Sequence, residues 1–247
     1  MIVSSILELK SNLYYSTTII HRGFIRMNKP LTKRTIPQKV GKFLLMLMVL
    51  GLPQASLAQS EANSQTFKTF QDWCLNRQQL SPEAKRTLDV LLQKVGTSNC
   101  DRANQMMAEQ KMLDLSTFLL SDLSPLQGLT QITVLKLRNN HISDLTPLQS
   151  LTNLEELDLS YNKITDISPL KSLTKLIRIN LSYNQISDVS PLQNLKVVSE
   201  INLNNNQVVD ITPLKSLNKI RFLFVQNNPL TSTECPINPK YICRFDT

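Results

Sequence analysis

Close copies of "LTNLEELDLSYNKITDISPLKS", residues 151–172, follow one another without insertion from Leu129, Leu151, Leu173, Leu195 and Leu217, and a degenerate copy from Met107 precedes them. A fixed 22-residue period restricts the chain to architectures that stack one small unit on the next, because a unit of this size buries too little apolar surface to stand alone. In "EELDLS" polar and apolar residues alternate. This predicts a short strand with Leu157 and Leu159 turned inward and Glu156, Asp158 and Ser160 turned out. Strands of successive units then stack in parallel about 4.8 Å apart. Asn140, Asn162, Asn184, Asn206 and Asn228 fall in one column. A buried carboxamide there can satisfy backbone groups of the turn that leaves the strand. Ile164, Ile167 and Leu170 return to the core from the far side. Ser168 reads as the cap of a single helical or 3₁₀ turn that opens with Pro169, and the proline recurs at Pro125, Pro147, Pro191 and Pro213.

The pattern Leu154, Leu157, Leu159, Asn162, Ile164 resembles that of leucine-rich repeats, and the "DISPL" that follows is similar to the 22-residue class of the internalins and of a eukaryotic protein-phosphatase regulator. The match covers roughly residues 107 to 230. The resemblance implies an α/β leucine-rich repeat solenoid, with parallel strands on a concave face and short helical or 3₁₀ turns on a convex one. The end faces of such a stack need covers. Upstream, "SPEAKRTLDVLLQKVG" has Ser81 as N-cap, Pro82 in the first turn, Leu88, Leu91, Leu92 and Val95 on one face, and Gly96 as the stop. Segments around Trp73 and Met106 also read as helical. Downstream, the chain departs from the repeat after Leu230. "FQDWCLNRQQLSPEAKRTLDVLL", the 22-residue repeats and "CPINPKYICRF" together resemble a group of exported bacterial leucine-rich repeat proteins, cyanobacterial ones in particular.

The formal net charge of +8 invites a nucleic-acid reading, which fails once the charge is located. Residues 1–58 hold eight Lys and Arg against Glu8, leaving +1 for everything after them. Those cations precede "FLLMLMVLGL", Phe43 to Leu52, and a small-residue site at Ser56 and Ala58, the order of a secretory signal peptide. Ten apolar residues are too few for a permanent membrane anchor. The mature chain is expected to begin near Gln59, with Met27 an alternative start. Cys74, Cys100, Cys235 and Cys243 allow three pairings, and their separation into two local couples makes Cys74–Cys100 with Cys235–Cys243 the economical one. A zinc site would need tighter ligand spacing. The expected divisions are a leader over 1–58, a helical N-terminal cap over 59–106, repeats over 107–230 and a C-terminal cap over 231–247.

Catalysis needs unlike groups brought together. After the leader the chain has one histidine, His141, on a turn, and two glycines, Gly96 and Gly128, which rules out a glycine-rich phosphate loop. Asp122, Asp144, Asp166, Asp188 and Asp210 form a column that either binds calcium or caps the following turns, and the absent glycine-rich nonapeptide favours the turns. No enzyme activity, metal or cofactor is therefore expected. The outward strand positions remain. They run in columns, with Glu156, Arg178, Glu200 and Phe222 in the first, Lys136, Asp158, Asn180 and Phe224 in the second, and Ser160 and Ser182 in the third. Alternating charges neutralise one another across rungs, which disfavours nucleic acid but suits a protein partner. The candidate binding residues are Glu156, Asp158, Tyr161, Arg178, Tyr183, Glu200, Phe222 and Phe224. The expected function is that of a secreted or periplasmic, monomeric, non-enzymatic module binding a protein or peptide. The alternatives are a cytosolic regulatory scaffold similar to the phosphatase regulator, and a purely structural envelope protein.

Overall fold

The computed structural model describes residues 67–245. The expected leader and its cleavage site near Gln59 lie outside them. The described chain begins with three helices, α1 (Phe70–Leu75), α2 (Pro82–Val95) and α3 (Cys100–Glu109). Seven short parallel strands follow in sequence order in one sheet: β1 (Met112–Asp114), β2 (Val134–Lys136), β3 (Glu156–Asp158), β4 (Arg178–Asn180), β5 (Glu200–Asn202), β6 (Phe222–Phe224) and β7 (Cys243–Arg244). From β1 to β6 each residue pairs with the one 22 positions on, as Leu135 with Leu157 and Leu157 with Ile179. Identical units stacked in register place identical side chains above one another, so Leu135, Leu157, Ile179 and Ile201 form a buried column. Between strands the chain crosses the far side of the core in 3₁₀ turns such as Thr146–Ser150, Ser168–Ser172, Ser190–Asn194 and Thr212–Ser216.

The proline in each of these turns stands in its first residues, where a missing N–H costs nothing. The expected cap requires correction. Ser168 lies inside its turn, and the group that caps it is Asp166, whose Oδ1 accepts from the Ser168 N–H at 2.8 Å while Oδ2 accepts from the Ser168 hydroxyl at 2.9 Å. Asp122, Asp144, Asp188 and Asp210 hold the N–H two residues on in the same way. The carboxylate presents two acceptors, one for the Ser168 N–H and one for the Ser168 hydroxyl, which is thereby committed to Asp166.

The Asn column does more than was expected of it. Asn162 Nδ2 donates to the Leu159 and Ser160 carbonyls of its own turn and to the Leu137 carbonyl of the preceding rung, and Oδ1 accepts from the Ile142 N–H of that rung at 3.0 Å. Each carboxamide therefore rivets two rungs. Asn140, Asn184, Asn206 and Asn228 repeat the pattern.

The helices close the first end of the stack. Ser81 Oγ accepts from the Ala84 N–H to start α2, and Gly96 ends it at φ +70°. Thr87, fully buried, donates from its hydroxyl to the Asp122 carbonyl at 2.6 Å and so ties α2 to the first turn of the stack. Cys74 is bonded to Cys100, joining α1 to α3, and Cys235 to Cys243. At the other end, six strands were expected and a seventh is present. β7 pairs with β6 through Leu223 with Cys243 and Phe224 with Arg244, a separation of 20 residues instead of 22. It extends the sheet without the repeat signature, because strand pairing is made by the backbone.

Candidate functional site

The sheet face opposite the 3₁₀ turns carries the eight candidate residues, and the strand register brings most of them together. Glu156, Arg178 and Glu200 stand on three successive rungs. The Arg178 guanidinium forms an ion pair with the Glu156 carboxylate, both half-exposed. Among the described residues Lys136 has no ion-pair partner, although its charge, after the Ser116 hydrogen bond and against partial burial, helps hold the Asp114 carboxyl below its usual range.

Asp158 is less available than its outward position implied. Its Oδ1 accepts from both the Ser160 N–H at 2.9 Å and the Ser160 hydroxyl at 2.7 Å. Asn180 does the same for Ser182. The third column consequently needs correction. Ser160 and Ser182 are buried, not outward-facing, because the chain has already begun to turn off the strand and their hydroxyls are drawn back to the preceding polar side chain. Where the turn begins, Tyr161 and Tyr183 adopt left-handed backbone at φ 58° and 57°, and Asn139, Asn205 and Asn227 do so in the equivalent places. The two tyrosine rings stack with centroids 4.1 Å apart, and the Arg138 guanidinium lies 4.5 Å above the Tyr161 ring. Hydrogen bonding with Tyr183 raises the Tyr161 phenol above its ordinary pKa.

In the middle of the face a shallow hollow of about 210 Å³ spans β2 to β5, with Leu157 and Ile179 in its floor and Lys136, Glu156, Asp158, Arg178 and Glu200 around it. Phe222 and Phe224 lie outside this hollow, at the β6 end. Phe222 is 45% exposed and Phe224 half-buried, with ring centroids 6.2 Å apart. β7 lies beside Phe224 in the sheet and leaves Phe222 open. Among the described residues no group of three or more His, Cys, Asp or Glu side chains is placed to hold a metal ion. His141 is exposed on its turn, its backbone N–H donating to the Leu120 carbonyl.

A sequence model of paired leucine-rich repeats matches residues 152–194, two of the units that the strand register stacks. The fold is a leucine-rich repeat solenoid. Among solved solenoids, a leucine-rich repeat protein of Leptospira interrogans superposes with a TM-score of 0.50 at 24% identity, over 59% of this chain and 39% of that one. Two internalins of Listeria monocytogenes are also similar. InlF is 31% identical over 51% of this chain and 44% of its own, with a TM-score of 0.45. InlC2 is 24% identical over 64% and 91%, with a TM-score of 0.47. The chain thus spans less than half the length of InlF and of the Leptospira protein. No curated protein matches it.

Proposed function

We propose that this leucine-rich repeat protein is an exported, non-enzymatic module that binds a protein or peptide through its concave sheet face. The observation that carries the reading is the hollow over β2 to β5, an aliphatic floor inside a rim of mixed charge. Such a surface suits a protein partner, which supplies complementary charges around an apolar contact, and lacks the uncompensated basic stripe that nucleic acid requires. Seven strands at about 4.8 Å per step extend roughly 29 Å, enough for a peptide or a modest protein patch. Phe222 and Phe224 offer aromatic anchors at one end of that face.

Two disulfides and the sequence of residues 43–58 support export, since such bonds persist outside reducing compartments. They also disfavour the cytosolic-scaffold alternative. No helix among the described residues is long and apolar enough to cross a membrane. The mature monomer would run from Gln59, with a helical cap to residue 106, repeats to 230 and a second cap beyond.

The double exchange Glu156→Arg with Arg178→Glu tests the binding face. It keeps the ion pair and the fold but reverses the pattern shown to a partner. Cross-linked capture of a defined partner by the native protein and its loss in the exchanged variant is the expected result; equal capture by both would sink this face as the site. Export is read separately from the intact mass, where a chain starting at Gln59 gains about 4 Da on reduction.

A further inference from the structure

Each rung has two flanks, one where the chain descends from strand to 3₁₀ turn and one where it climbs back into the next strand. From residue 171 on their charges are segregated, whereas the rung before carries Glu155 on the climbing flank and Lys163 on the descending one. From residue 171 to 221 the chain carries seven cations, Lys171, Lys175, Arg178, Lys196, Lys215, Lys219 and Arg221, against three acids. Of those acids, Asp188 and Asp210 cap turns on the descending flank, and Glu200 stands in β5. The cations other than Arg178 are exposed on or beside the climbing flank. Lys175 Nζ donates to Asn153 Oδ1 at 2.7 Å and Lys196 Nζ to Ser216 Oγ at 2.8 Å, both neutral acceptors that leave the charge uncompensated.

The last rungs shape this charge into a site. Lys219 and Arg221, together with Arg178, whose guanidinium also pairs with Glu156, line a hollow of about 590 Å³ with no carboxylate in its lining. Between them lie Ile177 and Val197, 37% and 38% exposed, on adjacent rungs. We propose that this flank is a second docking surface, adjoining the concave face at Arg178, which takes an acidic peptide segment of a partner protein with an apolar side chain seated on Ile177 and Val197. Guanidinium and ammonium groups pair with carboxylates, Arg in two-point contacts. The aliphatic pair distinguishes a peptide from a nucleic acid, whose bases stack on aromatic rings that this hollow lacks.

The test uses the whole mature protein and fluorescence anisotropy at low ionic strength with a short labelled Glu/Leu peptide, its Lys/Leu counterpart, and heparin as a competing polyanion. The acidic peptide is expected to bind at least about tenfold more tightly than the basic one, and to weaken on adding salt. Lys219→Gln with Arg221→Gln should reduce its affinity by about tenfold or more, whereas Lys163→Gln with Arg86→Gln, the same change of net charge elsewhere, should leave it within about twofold. Equal loss in both variants, or none in the first, overturns the site. Heparin bound more tightly than the peptide by the same two residues overturns the peptide in favour of an anionic polymer. Because the descending flank presents Asp144, Asp166, Asp188 and Asp210, sedimentation is run alongside. Self-association abolished by the Lys219/Arg221 variant would make the occupant a second copy and overturn the separate partner.

Discussion

Asn162 makes four hydrogen bonds to backbone groups on two rungs, and its burial is tolerable only because all four are made. Asn162→Ala leaves the Ile142 N–H without its acceptor, whereas the Leu137, Leu159 and Ser160 carbonyls each keep a second donor in Asn140, Asn184 and the Asn139 N–H. At about 1 to 3 kcal/mol for a buried orphan, it should lower the unfolding free energy in urea by about that much. Tyr161 is costly in a different way. A bulky residue at φ 58° sits where asparagine is the more comfortable occupant, and Asn139, Asn205 and Asn227 occupy that conformation in three other rungs. Stacking on Tyr183 and the overlying Arg138 offset this strain. Tyr161→Asn should therefore change stability by less than about 1 kcal/mol, and Tyr161→Val, β-branched in the left-handed region, should cost about 1 to 3 kcal/mol.

At the scale of the element, the helices of the N-terminal end are fixed by their termini. Thr69 and Asp72 form a reciprocal capping box at α1, and the Thr69 hydroxyl, followed by the Thr69 and Lys68 backbone N–H groups, holds the Asp72 carboxyl below its ordinary pKa. A depressed carboxyl binds more protons in the unfolded chain. Its stabilisation is present above about pH 4 and is lost as pH falls further. Wild type should therefore exceed Asp72→Asn in stability near neutrality, and the gap should close below about pH 4 in denaturation curves run across pH. The two described glycines differ in what surrounds them. Gly96, at φ +70°, has open space where a Cβ would go, whereas at Gly128, φ +87°, a Cβ would lie 2.4 Å from the Lys68 carbonyl oxygen. Gly96→Ala should cost about 1 to 2 kcal/mol from the left-handed backbone alone. Gly128→Ala should cost more, and should raise hydrogen exchange in α1, because the strand of chain leading into that helix has to move away.

For the whole molecule, a stack is most vulnerable at its ends, where one face of a rung has no neighbour. Both disulfides are placed there. On the chain-entropy account, closing the 26-residue separation of Cys74 and Cys100 contributes about 3.5 kcal/mol, and the 8-residue separation of Cys235 and Cys243 about 2.5 kcal/mol. Thermal unfolding of the Cys74→Ser/Cys100→Ser and Cys235→Ser/Cys243→Ser pairs should rank them in that order. Hydrogen exchange should rise first in the helices for one variant and in β7 for the other.

The 22-residue period, the inward columns of Leu and Ile, the Asn column and the Asp-capped turns were legible in the linear sequence, because each is a short-range pattern that recurs at a fixed spacing and stacking merely copies it. The outward residues of the first column were legible for the same reason. What the sequence left open depends on groups distant in the chain or on backbone that carries no pattern. The β7 strand pairs at a 20-residue offset; Ser160 and Ser182 turn inward with the chain as it leaves the strand; the Asn side chains bridge to the preceding rung. The convergence of Arg178, Lys219 and Arg221 was equally hidden. These cations lie at three different positions of two non-adjacent repeats, and their signs average away in a count of net charge until the tertiary fold places them around one hollow.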